Sequence, residues 1–192
     1  MFYFPGELFL QAYSLPLIAE VRPQRDYFIE YPQQIPVGTK ASVFYNRQFG
    51  YYAAHYKQAS KIPSQAILVL NEGEGAIAIF PGEPDSAIEN TANTNILSPV
   101  YTLENNGTLA VPTGMVFICF TEGVDIESQQ VAINQAGYEV AKTLVYAPNA
   151  GWLRARTNKI ADALKGIAQL SVIHNVENVE PQMLMERQLR EK

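Results

Sequence analysis

Apolar positions in the first hundred residues fall in short clusters at Asp26 to Tyr31, Ala41 to Tyr45, Gln65 to Leu70 and Gly75 to Phe80. They are rich in Ile, Val, Phe and Tyr, and Pro32, Pro36, Gly38, Pro63, Gly73, Gly82 and Pro84 separate them. Short β-branched and aromatic runs between turn formers predict strands. Asn71-Glu72-Gly73-Glu74-Gly75 predicts a hairpin connection, and the polar stretch from Glu83 to Ser98 a loop or linker. Asn105-Asn106-Gly107, between Tyr101-Thr102-Leu103 and Thr108 to Val111, predicts a second hairpin, because Asn-Gly tolerates positive φ.

Beyond Pro112-Thr113-Gly114 the pattern alternates between periods of two and of about 3.6 residues. Met115 to Phe120 reads as a strand, and Ile126 to Ala136 as a helix that Asp125 caps and Gly137 ends. Tyr138 to Tyr146 is a second strand, Pro148 to Gly151 a turn, and Trp152 to Arg156 a third strand with Trp152, Arg154 and Arg156 on one face. Asn158 is placed to cap a helix whose Ile160, Ala161, Leu164, Ile167 and Ala168 share a stripe. Val176 to Val179 forms a last strand that Pro181 should end, since proline has no N–H for a ladder. Strand, helix, strand, strand, helix, strand is the βαββαβ order of a ferredoxin-like sandwich. The expected fold is therefore α+β, with a mostly β domain over 1–110 and a ferredoxin-like domain over 111–192.

Charge and composition narrow the function classes. Hydrophobic residues make up 47% and charged residues 17% of the 192, the balance of a globular protein. A net charge of −5 gives no basic footprint for nucleic acid or an anionic membrane surface, so proteins or small molecules are the expected partners. Cys119 is the single cysteine, which excludes an intrachain disulfide and a Cys cluster, and it reads as a buried small hydrophobe. No metal or cofactor is expected. Met1-Phe2-Tyr3-Phe4-Pro5-Gly6 lacks the basic start of a signal peptide, and no stretch of about 18 apolar residues could span a bilayer. A cytoplasmic location is the expectation.

Few residues compete for chemistry. His55, within Tyr51 to Lys57, reads as part of a packed β surface, with an aromatic ligand pocket as the alternative. His174 has no ligand partner at metal spacing, and Glu72 with Glu74 suits a solvated turn better than an acid pair. Gly73-x-Gly75 is too short for a phosphate loop. No nucleophile motif for Ser-His-Asp chemistry occurs.

Pro112 to Val124, Ala136-Gly137-Tyr138, Tyr146 to Arg156 and Asn175 to Gln182 follow one another in the order of the N-terminal propeptide of bacterial subtilisin-like serine proteases, which about residues 110–185 resemble. The resemblance implies a domain that packs its sheet on the protease, assists its folding, and inhibits it by laying the C-terminal tail through the substrate cleft. It would place Glu180 and Gln182 against the N-termini of two protease helices, Met185 near the fourth subsite and Gln188 near the first. In a protease precursor a catalytic domain follows this region, whereas here the sequence stops at Lys192, so no catalysis by that route is expected.

The expected activity is thus that of a non-enzymatic inhibitor or folding assistant. The alternative is a protein-interaction or regulatory module that blocks no active site, and a third reading is an unrecognised enzyme in the tyrosine-rich half. Candidate protein-binding residues are Trp152 and Arg154 on the sheet, and Glu180, Gln182, Met183, Leu184, Met185, Glu186, Arg187 and Gln188 along the tail. From Gln182 onward the tail reads either as a short terminal helix or frayed end, or as an extended peptide pairing with a strand edge.

Overall fold

In the computed structural model, residues 26–40, 42–58, 62–72, 75–84, 94–104 and 107–186 are described. Among these residues nine strands form one sheet: β1 (Gln34–Pro36), β2 (Phe44–Tyr56), β3 (Leu68–Glu72), β4 (Gly75–Pro81), β5 (Thr94–Leu103), β6 (Leu109–Phe120), β7 (Tyr138–Leu144), β8 (Ala147–Ala155) and β9 (Val176–Met185). The order is β3-β4-β2-β5-β6-β8-β7, with β1 beside β2, β9 beside β6, and every pair antiparallel. A 3₁₀ turn at Ile126–Gln129 leads into α1 (Gln130–Gln135), and α2 (Ile160–Lys165) and α3 (Ile167–Ser171) lie between β8 and β9.

This overturns the expected fold class. Strand accounts for 52% and helix for 15% of the described residues, and a continuous, antiparallel nine-stranded sheet replaces a ferredoxin-like βαββαβ sandwich. Strand β6 makes the sheet continuous. It takes β9 along one side, while the other side pairs first with β5, at Tyr101↔Ala110, and then with β8, at Phe117↔Trp152.

Local chemistry explains several departures from the sequence pattern. Asp26 to Tyr31 is a turn rather than a strand: the Asp26 carboxylate accepts the Phe28 N–H at 3.0 Å, an Asx turn that competes with extended pairing. Pro112-Thr113-Gly114 does not interrupt β6 but forms a bulge in it, with Gly114 at φ +91° and Thr113 Oγ1 accepting the Met115 N–H. Pro181 sits opposite Val116 beside that bulge, so β9 passes through it and ends only at Met185. Pro148 to Gly151 belongs to β8, and the turn falls at Val145–Tyr146. Gly151 is required there, because a Cβ would lie 2.7 Å from the Lys142 carbonyl oxygen. Asn158 adopts φ +56° and Lys159 occupies the cap position instead. The second helical stripe breaks at Gly166 into α2 and α3.

Three groups of buried side chains hold the sheet. The first joins Val116, Ile118, Phe120, Leu153 and Val179 to Ile126, Ile133, Ile160, Leu164, Ile167 and Leu170 on one face, and it also takes in Ile35, Tyr45 and Tyr101 from the first hundred or so residues. The second gathers Ala53, Leu70, Ile77, Ile79, Val100 and Val111, with Leu184 against it, and the third gathers Tyr52, Ala54, Tyr56, Ala78 and Phe80. Among the described residues no helix is long and apolar enough to cross a membrane.

Candidate functional site

Alternation along β6 turns Val116, Ile118 and Phe120 toward the helices, so Met115, Phe117 and Cys119 face the other way. Cross-strand register sets Trp152 opposite Phe117, Arg154 opposite Met115, Glu139 opposite Arg154, and Glu180 opposite Phe117 from the far side. The Phe117 and Trp152 rings meet edge to face, with centroids 5.4 Å apart and planes at 62°. Both are half-buried, and the Arg154 Nε–H donates to the Glu139 carboxylate beside them with both side chains largely in solvent. Such an exposed pair contributes little stability, but it presents both signs of charge at the rim of an aromatic patch. Arg156 is exposed as well.

Cys119 shares this outward face and is half-buried rather than enclosed. Burial, followed by the negative charge of Glu177, raises its thiol pKa, and the Asn149 amide lies 3.6 Å from the sulfur while donating to the Phe120 carbonyl at 2.7 Å. It is a thiol held in its protonated form.

The tail residues separate. Glu180 accepts a 2.7 Å hydrogen bond from the Asn178 amide, and Gln182 Oε1 accepts one of 2.7 Å from Thr113 Oγ1. Met183 packs on the first core, Leu184 on the second, and Met185 and Glu186 are exposed. Arg187 and Gln188 lie outside the described residues. Through Met185 the tail is thus neither a terminal helix nor a frayed end but the second half of β9, paired to Ala110, Val111 and Pro112.

In the first half of the chain, His55 Nε2 lies 3.0 Å from Ser98 Oγ, and burial lowers its pKa to about 4. Ser98 is fully buried. This pair is a hydrogen-bonded element of the packed β surface. Pattern reading missed Arg47, which is only 6% exposed: its guanidinium pairs with Asp26, donates to the Phe28 carbonyl and lies 4.9 Å from the Phe49 ring centroid. Its place between Phe44 and Tyr51 on a strand was the available signal. His174 is exposed, while Gly73, Glu74 and the Glu72 side chain lie outside the described residues. Among the described residues no group of three or more His, Cys, Asp or Glu side chains could hold a metal ion. No protein-family model, curated protein or solved structure matches the chain.

Proposed function

We propose that this chain is a non-enzymatic protein-binding module that docks through the sheet face of Phe117, Trp152, Arg154 and Glu180. The observation that carries the reading is the half-buried Phe117–Trp152 pair, on the face turned away from the helices and rimmed by the Arg154–Glu139 pair. Large aromatics that keep part of their surface in water, ringed by charge, have the composition of an interface centre.

The resemblance in residues 110–185 supports a subtilisin-like serine protease as the partner, met by the sheet, in a cytoplasmic setting. Glu180, at the margin of the face, suits a helix N-terminus on that partner, where free N–H groups and a positive partial charge await an anion. Docking by the face leaves β9 in place. Entry of the tail into a substrate cleft would require Met183 and Leu184 to leave the two cores they pack against.

The test is calorimetric titration of the full chain into a panel of subtilisin-like proteases, with hydrolysis of a small substrate followed in parallel. Binding should occur, and Trp152→Ala should weaken it by roughly tenfold or more, the effect of truncating an interface aromatic. Truncation before Arg187 should leave binding unchanged. If no protease binds, the protease reading fails; if binding survives Trp152→Ala undiminished, the face is wrong.

A further inference from the structure

Antiparallel sheets that end in water protect their outer strands, because a free row of N–H and C=O groups pairs readily with another chain. Three edges in this molecule carry such protection. β1 spans three residues and ends in Pro36. β7 has a register irregularity between Val140 and Lys142 and an exposed Lys142 at that point. The turn following β1 covers β9, where Thr39 exchanges hydrogen bonds with Asn178 and Val179.

Among the described residues β3 has no cover, bulge or proline, and its one charged residue is Glu72 at its end. Among those residues it pairs only with β4, and Ile67-Leu68-Val69-Leu70 carries no charge and no proline. Ile67 is 52% and Val69 42% exposed, whereas Leu68 and Leu70 pack inward on the second core. The strand is also complementary to itself. Antiparallel pairing about a two-fold axis at Val69 sets Val69 opposite its own copy, Leu68 opposite Leu70, Ile67 opposite Asn71, and Glu72 opposite Ala66, so no like charges face each other.

We propose that two copies of this chain associate through β3, each extending the other's sheet in that register. A second copy fits better than an unrelated peptide because the apolar pair Leu68 and Leu70 meets itself across the axis and both inward faces continue one core. The contact is isologous and closes after two copies. A single five-residue strand pair buries little area, so association should be weak, with a dissociation constant in roughly the micromolar range. The inference is independent of the docking face, which lies on β6, β8 and β9.

Sedimentation equilibrium of the full chain, from about 1 µM to several hundred µM, spans that range. The expected result is a rise from 21.4 kDa toward twice that mass, abolished by Val69→Lys, which places two ammonium groups face to face. Val69→Lys should melt as the wild type does, because the side chain is already partly in water. In a Cys119→Ser background, Val69→Cys should give a covalent dimer with a short bis-maleimide linker, since Cβ atoms across such a pair lie about 4.5–5.5 Å apart, wider than an unstrained disulfide spans. Val172→Cys, at an exposed position far along the chain, should not. A wild type that stays monomeric throughout, a dimer that persists in Val69→Lys, or growth beyond two copies would overturn the proposal.

Discussion

Thr39 is bonded to Asn178 and to its neighbour: the Thr39 N–H donates to Asn178 Oδ1 at 3.1 Å, and the Val179 N–H donates to Thr39 Oγ1 at 2.9 Å. One short turn thus fastens the segment after β1 to the outer edge of β9, 139 residues later in the chain. Gly38 makes the approach possible. At φ +82°, a Cβ there would stand 2.9 Å from the same Asn178 oxygen.

Thr39→Val keeps the shape of the turn and removes the acceptor. The Val179 N–H, part-buried, then loses its partner, so stability should fall by about 1 kcal/mol, the lower end for an abandoned donor near solvent. Urea unfolding of the two proteins gives the difference. An unchanged midpoint would show that water replaces the hydroxyl at no cost.

The same tie bears on whether residues 111–192 stand alone. Their core includes Ile35, Tyr45 and Tyr101, which are 1%, 7% and 0% exposed, and the Tyr101 hydroxyl donates to the Pro32 carbonyl at 2.8 Å. A fragment of 111–192 exposes the surfaces these side chains cover. At roughly 1.5–3 kcal/mol for each buried large side chain, the loss is on the order of 5 kcal/mol, a large part of an ordinary domain's stability. The fragment should melt well below the full chain in a calorimeter. Equal melting temperatures would show that the two regions do not depend on each other.

Much of the strand content was legible because it depends on local chemistry. Gly75 to Phe80 and the strands on either side of Asn105-Asn106, Tyr101 to Leu103 and Leu109 onward, fall where alternation and turn residues put them, while the strand from Tyr138 stops at Leu144, two residues short of the expected end. What failed was the reading of proline and glycine as stops. Pro112, Gly114, Pro148 and Pro181 all lie inside strands, since a bulge or a strand margin leaves one N–H unused, and only the partner strand shows that it is unused. Continuity of the sheet through β6 was likewise invisible, because pairing between Ala110 and Tyr101 is local while pairing between Ala110 and Met185 is not. Of the candidate site, the shared face of Trp152 and Arg154 could be read from period-two alternation. Phe117 could not be assigned as the ring facing Trp152 until the register was known.

His55 makes stability depend on pH with a definite sign. Its folded pKa is about 4 against an ordinary 6.5, because burial disfavours the imidazolium. Between those values the unfolded chain holds a proton that the folded chain does not, so stability is full above pH 6.5 and declines as pH falls toward 4. The decline has an upper bound of about 3 kcal/mol. Replacing the imidazole in His55→Gln should flatten this part of the curve when stability is measured by denaturant at closely spaced pH values. If the slope between pH 6.5 and 4.5 is the same in both proteins, His55 is not its source.

Leu164, 4% exposed, projects from α2 into the first core. Leu164→Ala should cost about 2–5 kcal/mol, the range for emptying a core leucine. A loss below about 0.5 kcal/mol, the level of an ordinary surface change, would place the side chain outside the core.

The break between α2 and α3 is set by Tyr138, and its test separates a steric cause from a hydrogen-bonding one. The Tyr138 hydroxyl, buried in the sheet's core, donates to the Ala163 carbonyl at 2.6 Å, at the point where one helix would otherwise run on into the next. The ring fills the space beside Gly166 so closely that a Cβ there would lie 2.3 Å from the hydroxyl oxygen and 2.7 Å from the nearest ring carbon. Gly166→Ala must therefore displace a buried tyrosine, for which overpacking data suggest about 1–3 kcal/mol, although alanine is intrinsically the better helix former. Tyr138→Phe removes only the hydrogen bond and should cost about 1 kcal/mol. In the double variant the worst contact is gone but the ring carbons remain, so its loss should be smaller than the sum of the two single losses by roughly 0.5 kcal/mol or more. Strict additivity in a double-mutant cycle would mean that Gly166 and Tyr138 act separately, and that the helix break has another cause.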